Sequence, residues 1–98
     1  MIDLVPADLA EIRRILDRHI SDCEVRAFGS RVQGHATKYS DLDLAIVAAQ
    51  PLAETKLAEL KDAFAASNLP FQIDVMDWHS LPEHFRETIK TAYEILTV

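Results

Sequence analysis

The sequence predicts an α/β fold of the α+β type, with a sheet of about three strands flanked by helices. Three observations predict it. In three stretches apolar residues recur at spacings of three and four, the period of a helix face. In three others, of which "DLDLAIVA" at residues 41–48 is the clearest, side-chain character alternates with period two, as in a strand. The two kinds of stretch interleave in the order helix, strand, strand, helix, strand, helix. No internal repeat, low-complexity tract or linker divides residues 1–98, so a single domain is expected.

The elements follow in chain order. Leu9, Ile12, Leu16 and Ile20, with Ile15 beside them, form one face of a helix expected over residues 6–20. Pro6 fits its first turn, and Asp8 and Glu11 suit its positive start. "EVRAF" at residues 24–28 reads as a short strand, with Val25 opposite Glu24, Arg26 and Phe28. Gly29 and Ser30 break it, and a helical turn after Ser30 followed by a polar loop is expected. In the next strand Asp41, Asp43, Ala45 and Val47 point one way and Leu42, Leu44, Ile46 and Ala48 the other, until Pro51 ends it. Ala53, Leu57, Leu60 and Phe64 mark a helix over residues 52–67, closed by Asn68 and Pro70. "FQIDVMDW" at residues 71–78 is the third strand, with Ile73 and Val75 on one side and Gln72, Asp74 and Met76 on the other. Phe85, Ile89, Ala92 and Leu96, flanked by Tyr93 and Ile95, define a last helix with Pro82 in its first turn.

Bulk properties narrow the function. The chain of 98 residues is 49% apolar and 27% charged, an ordinary globular composition. A domain of this size buries only about two thirds of its surface, so a sizeable substrate must meet a shallow face or a partner chain. The formal charge of −6 argues against a basic surface for phosphate backbones, and no direct nucleic-acid binding is expected. Nucleotides stay within reach if metal ions stand between carboxylates and phosphates. The single cysteine, Cys23, excludes an internal disulfide and a cysteine-based zinc site, and is expected to pack near a strand start in a reducing compartment. The first residues lack a basic segment followed by an apolar run, and no apolar run approaches ~18 residues. Neither signal peptide nor membrane span is expected, and the expected location is the cytoplasm.

Three features carry chemistry. Gly29 and Ser30 leave a strand where a small pair lets backbone N–H groups approach a ligand closely, and the Ser30 hydroxyl adds a donor. This suits phosphate oxygens. Asp41 and Asp43 share one face of a strand, a costly pairing unless a cation offsets it. Mg²⁺ is held by one or two carboxylates together with substrate phosphates. Asp74 stands among Phe71, Ile73, Val75 and Met76, and if its strand neighbours the Asp41 and Asp43 strand, three acids meet at one point. Three acids can hold two metal ions about 3.5–4 Å apart, the arrangement that assists in-line phosphoryl displacement. Each part alone is commonplace, since Gly, Ser and Asp favour turns. At about 6% usage per residue type, four specified residues at fixed spacing recur by chance only once in 10⁵ positions.

Gly29 and Ser30, ten residues, then Asp41-Leu42-Asp43 resembles the signature of the DNA polymerase β-like nucleotidyltransferase superfamily. "GSRVQGHATKYSDLDLAI" is most similar to its minimal nucleotidyltransferase (MNT) branch, the MntA-like antitoxins of HEPN/MNT toxin–antitoxin systems. The resemblance runs from the first helix through Asp74. It implies a small mixed sheet flanked by helices. It implies that Gly29 and Ser30 contact the triphosphate of ATP and that Asp41 and Asp43 ligate two Mg²⁺ ions. Asp74, it implies further, ligates the catalytic metal and helps deprotonate the attacking hydroxyl. It implies AMP transfer from ATP to a tyrosine of a HEPN-domain toxin, which silences the toxin. Many relatives carry a basic residue where Gln33 stands and an acidic one where His35 stands. Arg31 and Lys38 are the nearby cations that could serve the phosphates instead, and Ser40 is read as capping the loop before the strand and is kept as a nucleotide-contact candidate. The larger superfamily members have an extra domain that grips a base or acceptor. Here a second subunit, as in a homo-oligomer, or a partner protein is expected to fill that gap.

Two other functions compete. The chain could neutralise a toxin by occlusion, with Tyr93, Ile95 and Val98 along the last helix forming the contact. It could instead modify a small molecule, against which the missing acceptor domain counts. Other residues read as structural. His79 and His84 flank Pro82 at a spacing that does not suit zinc, His19 sits at a helix rim, and Trp78 reads as a core or interface residue. His35 is a candidate substrate contact. No P-loop or dinucleotide-binding glycine pattern is present.

Overall fold

The structure is a computed structural model, and it describes residues 2, 4–20, 22–34, 36, 37 and 40–96. His35, Lys38 and Val98, named above as candidates, lie outside the described residues. The elements are α1 (Pro6–His19), β1 (Glu24–Phe28), α2 (Ser30–Gln33), β2 (Leu42–Val47), α3 (Glu54–Ala65) and β3 (Ile73–Asp77). A short 3₁₀ turn (Trp78–Ser80) follows, then α4 (Glu83–Thr91) and β4 (Glu94–Ile95). The strands form one mixed sheet in the order β3-β2-β1-β4. β1 runs antiparallel to β2 and to β4, and α3 is the crossover that brings β3 parallel to β2.

The end of the chain departs from expectation. Helix α4 stops at Thr91, Ala92 is extended (φ −157, ψ 100), and Glu94–Ile95 pairs with β1 as a fourth strand. The apolar stripe had helical period, yet its members divide between two cores. Ile89 packs in a small cluster with Phe28, Ala45 and Trp78, whereas Leu96 enters the main core. The open edge of β1 offers unpaired backbone groups, and Leu96 N–H donates to the Val25 carbonyl at 2.9 Å. Pairing that edge outweighs a weak local helical preference. Of the apolar contact residues expected along a helix, Tyr93 is half-buried beyond the helix end and Ile95 is 49% exposed on an edge strand.

The sheet has two unlike faces, set by strand period. One carries Val25, Ala27, Leu42, Leu44, Ile46 and Val75 into the main core with Ile12, Ile15 and Leu16 of α1 and Leu60 and Phe64 of α3. Cys23 packs at its margin, and burial, with a smaller push from the charge of Asp22, raises its thiol pKa. The other face reads in rows across β1, β2 and β3: Arg26, Ala45 and Met76 in one, then Phe28, Asp43 and Asp74 in the next. Trp78, Leu81 and Ile89 cover the first row. The Arg26 guanidinium lies 4.7 Å from the ring centres of both Trp78 and Tyr93 and pairs with Glu24. Phe85 of α4 meets Phe28 edge-on, with centroids 6.0 Å apart. The two acids of the second row stand just past this cover. Among the described residues no helix is long and apolar enough to cross a membrane.

Candidate active site

The site forms where β1 ends and β2 and β3 begin. Gly29 links β1 to α2 with φ 87 and ψ −159, a backbone conformation open in practice only to glycine. A Cβ built there would overlap Asp43 Oδ2 and lie 3.5 Å from its Cγ. Glycine is therefore required twice, by its dihedrals and by the carboxylate packed against it. Helix α2 is a single turn of four residues, in which Val32 N–H and Gln33 N–H both donate to the Gly29 carbonyl. So short a helix carries little macrodipole. Any attraction for phosphate here rests on close backbone approach at Gly29 and on the Ser30 hydroxyl.

Asp43 and Asp74 are direct partners in the parallel β2–β3 register, so their Cα atoms are about 4.8 Å apart. The Asp43 carboxyl is pushed above its ordinary pKa, first by burial, then by the negative charge of Asp74, then by that of Asp41. Burial and two neighbouring acids thus both disfavour its charged form. Asp41 stands just before β2, exposed at the lip. It also borders an open groove of about 760 Å³ that runs between the end of α3 and the start of β3, past Lys61 and Gln72. This groove thus adjoins Asp41 without enclosing Asp43 or Asp74.

The sequence expectation was three acids at one point. The structure brings Asp43 and Asp74 together and leaves Asp41 looser. Among the described residues no three His, Cys, Asp or Glu side chains stand ready to hold a metal ion. Hard, mutually repelling carboxylate oxygens, of which those of Asp43 are half-buried, suit Mg²⁺, which takes one or two protein carboxylates and completes its shell with phosphates and water. The residues present fit that ion.

Arg31 and Ser40 behave differently from a phosphate-facing pair. Arg31 is only 5% exposed. Its Nε donates to the Ser40 carbonyl at 2.8 Å and Nη2 approaches the Thr37 carbonyl at 3.5 Å, while its guanidinium lies 4.0 Å from the centre of the Phe71 ring. The expectation names Arg31 as a nearby cation for the phosphates; its described contacts go to the loop and to an aromatic ring. Ser40 Oγ accepts from Thr37 N–H at 2.8 Å and lies 3.2 Å from Thr37 Oγ1, the geometry of a loop cap. Gln33 is exposed at the end of α2. His79 Nε2 lies 2.6 Å from the Ala48 carbonyl, far along the sheet from the acids.

Sequence reasoning passed over Phe71 as a partner of Arg31, and over Asp77. The latter is 5% exposed and accepts from Leu52 N–H and His79 N–H, each at 3.1 Å. Its spacing of three from Asp74 was the available signal, because an odd spacing puts the two acids on opposite faces of a strand.

Comparison with known proteins shows the family. The family model for "Polymerase beta, Nucleotidyltransferase" matches residues 10–97. A Haemophilus influenzae protein named "Probable protein adenylyltransferase MntA" is 44% identical over 95 residues, spanning 97% of this chain and 83% of the relative. A crystal structure of a toxin–antitoxin with AMP-PNP superposes with a TM-score of 0.75 at 28% identity, over 90% of this chain and 71% of that one. Another solved structure, the tri-AMPylated Shewanella oneidensis HEPN toxin in complex with MNT antitoxin, gives a TM-score of 0.69 at 25% identity over 92% and 69% of the two chains. On the extent of the family match and the identity to the Haemophilus protein, the chain belongs to the polymerase β nucleotidyltransferase family.

Proposed function

We propose that this chain is a Mg²⁺-dependent nucleotidyltransferase that moves AMP from ATP onto a tyrosine hydroxyl of a HEPN-domain toxin and so acts as an antitoxin. The observation that carries the reading is the contact row in which Asp43 lies between Gly29 and its register partner Asp74, with its carboxyl pKa raised by burial and by the neighbouring acids. The names of the Haemophilus relative and of the solved toxin–antitoxin complexes support the acceptor and the partner. The proposal treats residues 1–98 as one minimal nucleotidyltransferase domain at work in the cytoplasm, where thiols such as Cys23 stay reduced.

In this reading Gly29 and Ser30 take the outer phosphates, by close backbone approach and by the hydroxyl. Asp41, Asp43 and Asp74 would hold two Mg²⁺ ions, with Asp43 and Asp74 central and Asp41 completing the set at the lip. When bound, the ions would neutralise the triphosphate and the charge that develops during displacement. The acceptor oxygen attacks the α-phosphorus, the bond from that phosphorus to the bridging oxygen breaks, and pyrophosphate leaves. Asp74, which is exposed on the edge strand, would take the hydroxyl proton. The short sheet leaves the acceptor outside the domain, so the toxin must bring its own tyrosine to the acids.

Intact mass spectrometry of the co-purifying HEPN-domain protein, incubated with the chain with and without Mg-ATP, tests the proposal. Gain of whole AMP units that depends on Mg-ATP is the expected result. Neutralisation of the toxin with no change in mass overturns catalysis in favour of occlusion.

A further inference from the structure

From a buried position Arg31 touches the stretches that lead into β2 and β3, the two strands that supply the acids. It belongs to α2, immediately after Gly29 and Ser30. Its Nε holds the Ser40 carbonyl at 2.8 Å, and that carbonyl belongs to the peptide unit leading into Asp41. On the other side of Asp41, Leu42 N–H donates to the Gln72 carbonyl at 3.0 Å. Asp41 is thus bracketed by two anchored peptide planes, one of them anchored by Arg31. The guanidinium also stacks on Phe71 at 4.0 Å, next to Gln72 and three residues before Asp74. One planar cation therefore fixes the spacing between the Gly29 turn, the Asp41 lip and the start of β3.

We infer that Arg31 is a positioning residue for the metal-binding acids: it sets where Asp41 stands relative to Asp43 and Asp74, and it does not contact the nucleotide. The inference rests on the nucleotidyltransferase reading and deepens it. It accounts for how Asp41, exposed and outside the regular strand, can reach a shared ion without a preassembled cage. It also explains why lysine is a poor substitute. A guanidinium offers several donors in one plane and a flat face to an aromatic ring, whereas an ammonium is a point charge on a flexible stem.

The test separates metal binding from nucleotide binding in the purified full chain. Mn²⁺ affinity is read by electron paramagnetic resonance in the presence of AMP-PNP, and metal-free AMP-PNP affinity by calorimetry in chelator. Arg31→Lys is expected to weaken Mn²⁺ binding about 10-fold, as loss of an outer-shell partner does, with metal-free AMP-PNP affinity within about 2-fold of wild type. Phe71→Leu removes the stacking wall without touching a charge and is expected to weaken Mn²⁺ about 3-fold. It decides the matter alone if Arg31→Lys fails to fold by circular dichroism. Mn²⁺ affinity unchanged in every folded variant overturns the inference. So does a loss of metal-free AMP-PNP affinity as large as the Mn²⁺ loss, which would mean that Arg31 meets the phosphates directly. A wild-type chain that binds neither Mn²⁺ nor AMP-PNP overturns the nucleotidyltransferase reading itself, and this inference with it.

Discussion

Strand β2 shows two opposite uses of one segment. On one face Leu42, Leu44 and Ile46 are completely buried against α1 and α3. On the other, Asp43 lies between Gly29 and Asp74 with its charge disfavoured by burial and by its neighbours. Each buried aliphatic stabilises the fold by roughly 2 kcal/mol. The closed face can therefore hold the strand in place while the open face carries a carboxylate that works against folding. The period of a strand keeps the two roles apart, so stability and chemistry should respond to different residues.

Asp43→Asn tests that separation most severely. Transfer should fall by about 10³-fold, because a central metal-binding oxygen is lost. Stability should move the other way. The folded-state pKa of Asp43 is raised above its ordinary 3.8. Between those two values the native state binds more protons than the unfolded state, so stability falls as pH rises through that window. At neutral pH the metal-free protein carries the full cost, and the amide removes it. The melting temperature of the metal-free variant should rise above that of the wild type in thermal unfolding followed by circular dichroism. A variant that melts lower than wild type would mean that Asp43 supports the fold, and the contrast between the faces would fail. On the closed face, Leu44→Ala should lower the unfolding free energy by about 3 kcal/mol in denaturant titration. The folded fraction should transfer AMP at an unchanged rate.

What the sequence made legible follows the same division. Alternation in residues 41–48 placed Asp43 on the face opposite Leu42, Leu44 and Ile46, and alternation in residues 71–78 did the same for Asp74, because strand period depends only on local spacing. That the two strands lie side by side in register was a supposition, since it depends on the α3 crossover. Arg31 is named from sequence as a nearby cation that could stand in for the basic residue many relatives carry at position 33, and nothing in its local spacing indicates burial. Its burial comes from Phe71 and Ser40, which are 40 and 9 positions away. The last helix was drawn too long for a related reason. Residues 92–96 keep a helical apolar spacing, but the open edge of β1 captures Glu94 and Ile95. Patterns confined to a few consecutive residues were readable, and those that needed a distant partner were not.

The two glycines of the polar stretch sharpen the comparison. Gly29 and Gly34 both have positive φ, 87 and 81, but only Gly29 faces an acid. Gly29→Ala should cost about 2 kcal/mol through backbone strain and should also abolish transfer, because the new methyl takes the place of Asp43 Oδ2. Gly34 caps α2 in a left-handed conformation, and among the described residues nothing comes within 4 Å of a built Cβ. Gly34→Ala should cost about 1 kcal/mol and leave transfer intact. Equal losses of transfer in the two variants would place the fault in loop flexibility and remove the special role of the Gly29 contact.

Two aspartates of β3 carry the comparison to the neighbouring strand. Asp77 is buried on the face away from the site, and its two oxygens satisfy the backbone N–H groups of Leu52 and His79. Asp77→Ala leaves both donors without their acceptor and should cost about 1.5 kcal/mol, with AMP transfer by the folded protein unchanged. Asp74 is exposed at the edge and sits in register with Asp43. Asp74→Ala should alter stability by no more than about 0.5 kcal/mol and should eliminate transfer. Denaturant midpoints and mass-spectrometric transfer assays on the pair read both axes at once. The expected result is a crossed pattern: one aspartate moves only stability, the other only chemistry. If Asp77→Ala also lost transfer while remaining folded, the two faces of β3 would be coupled through the strand, and the independence argued from β2 would not extend to its neighbour.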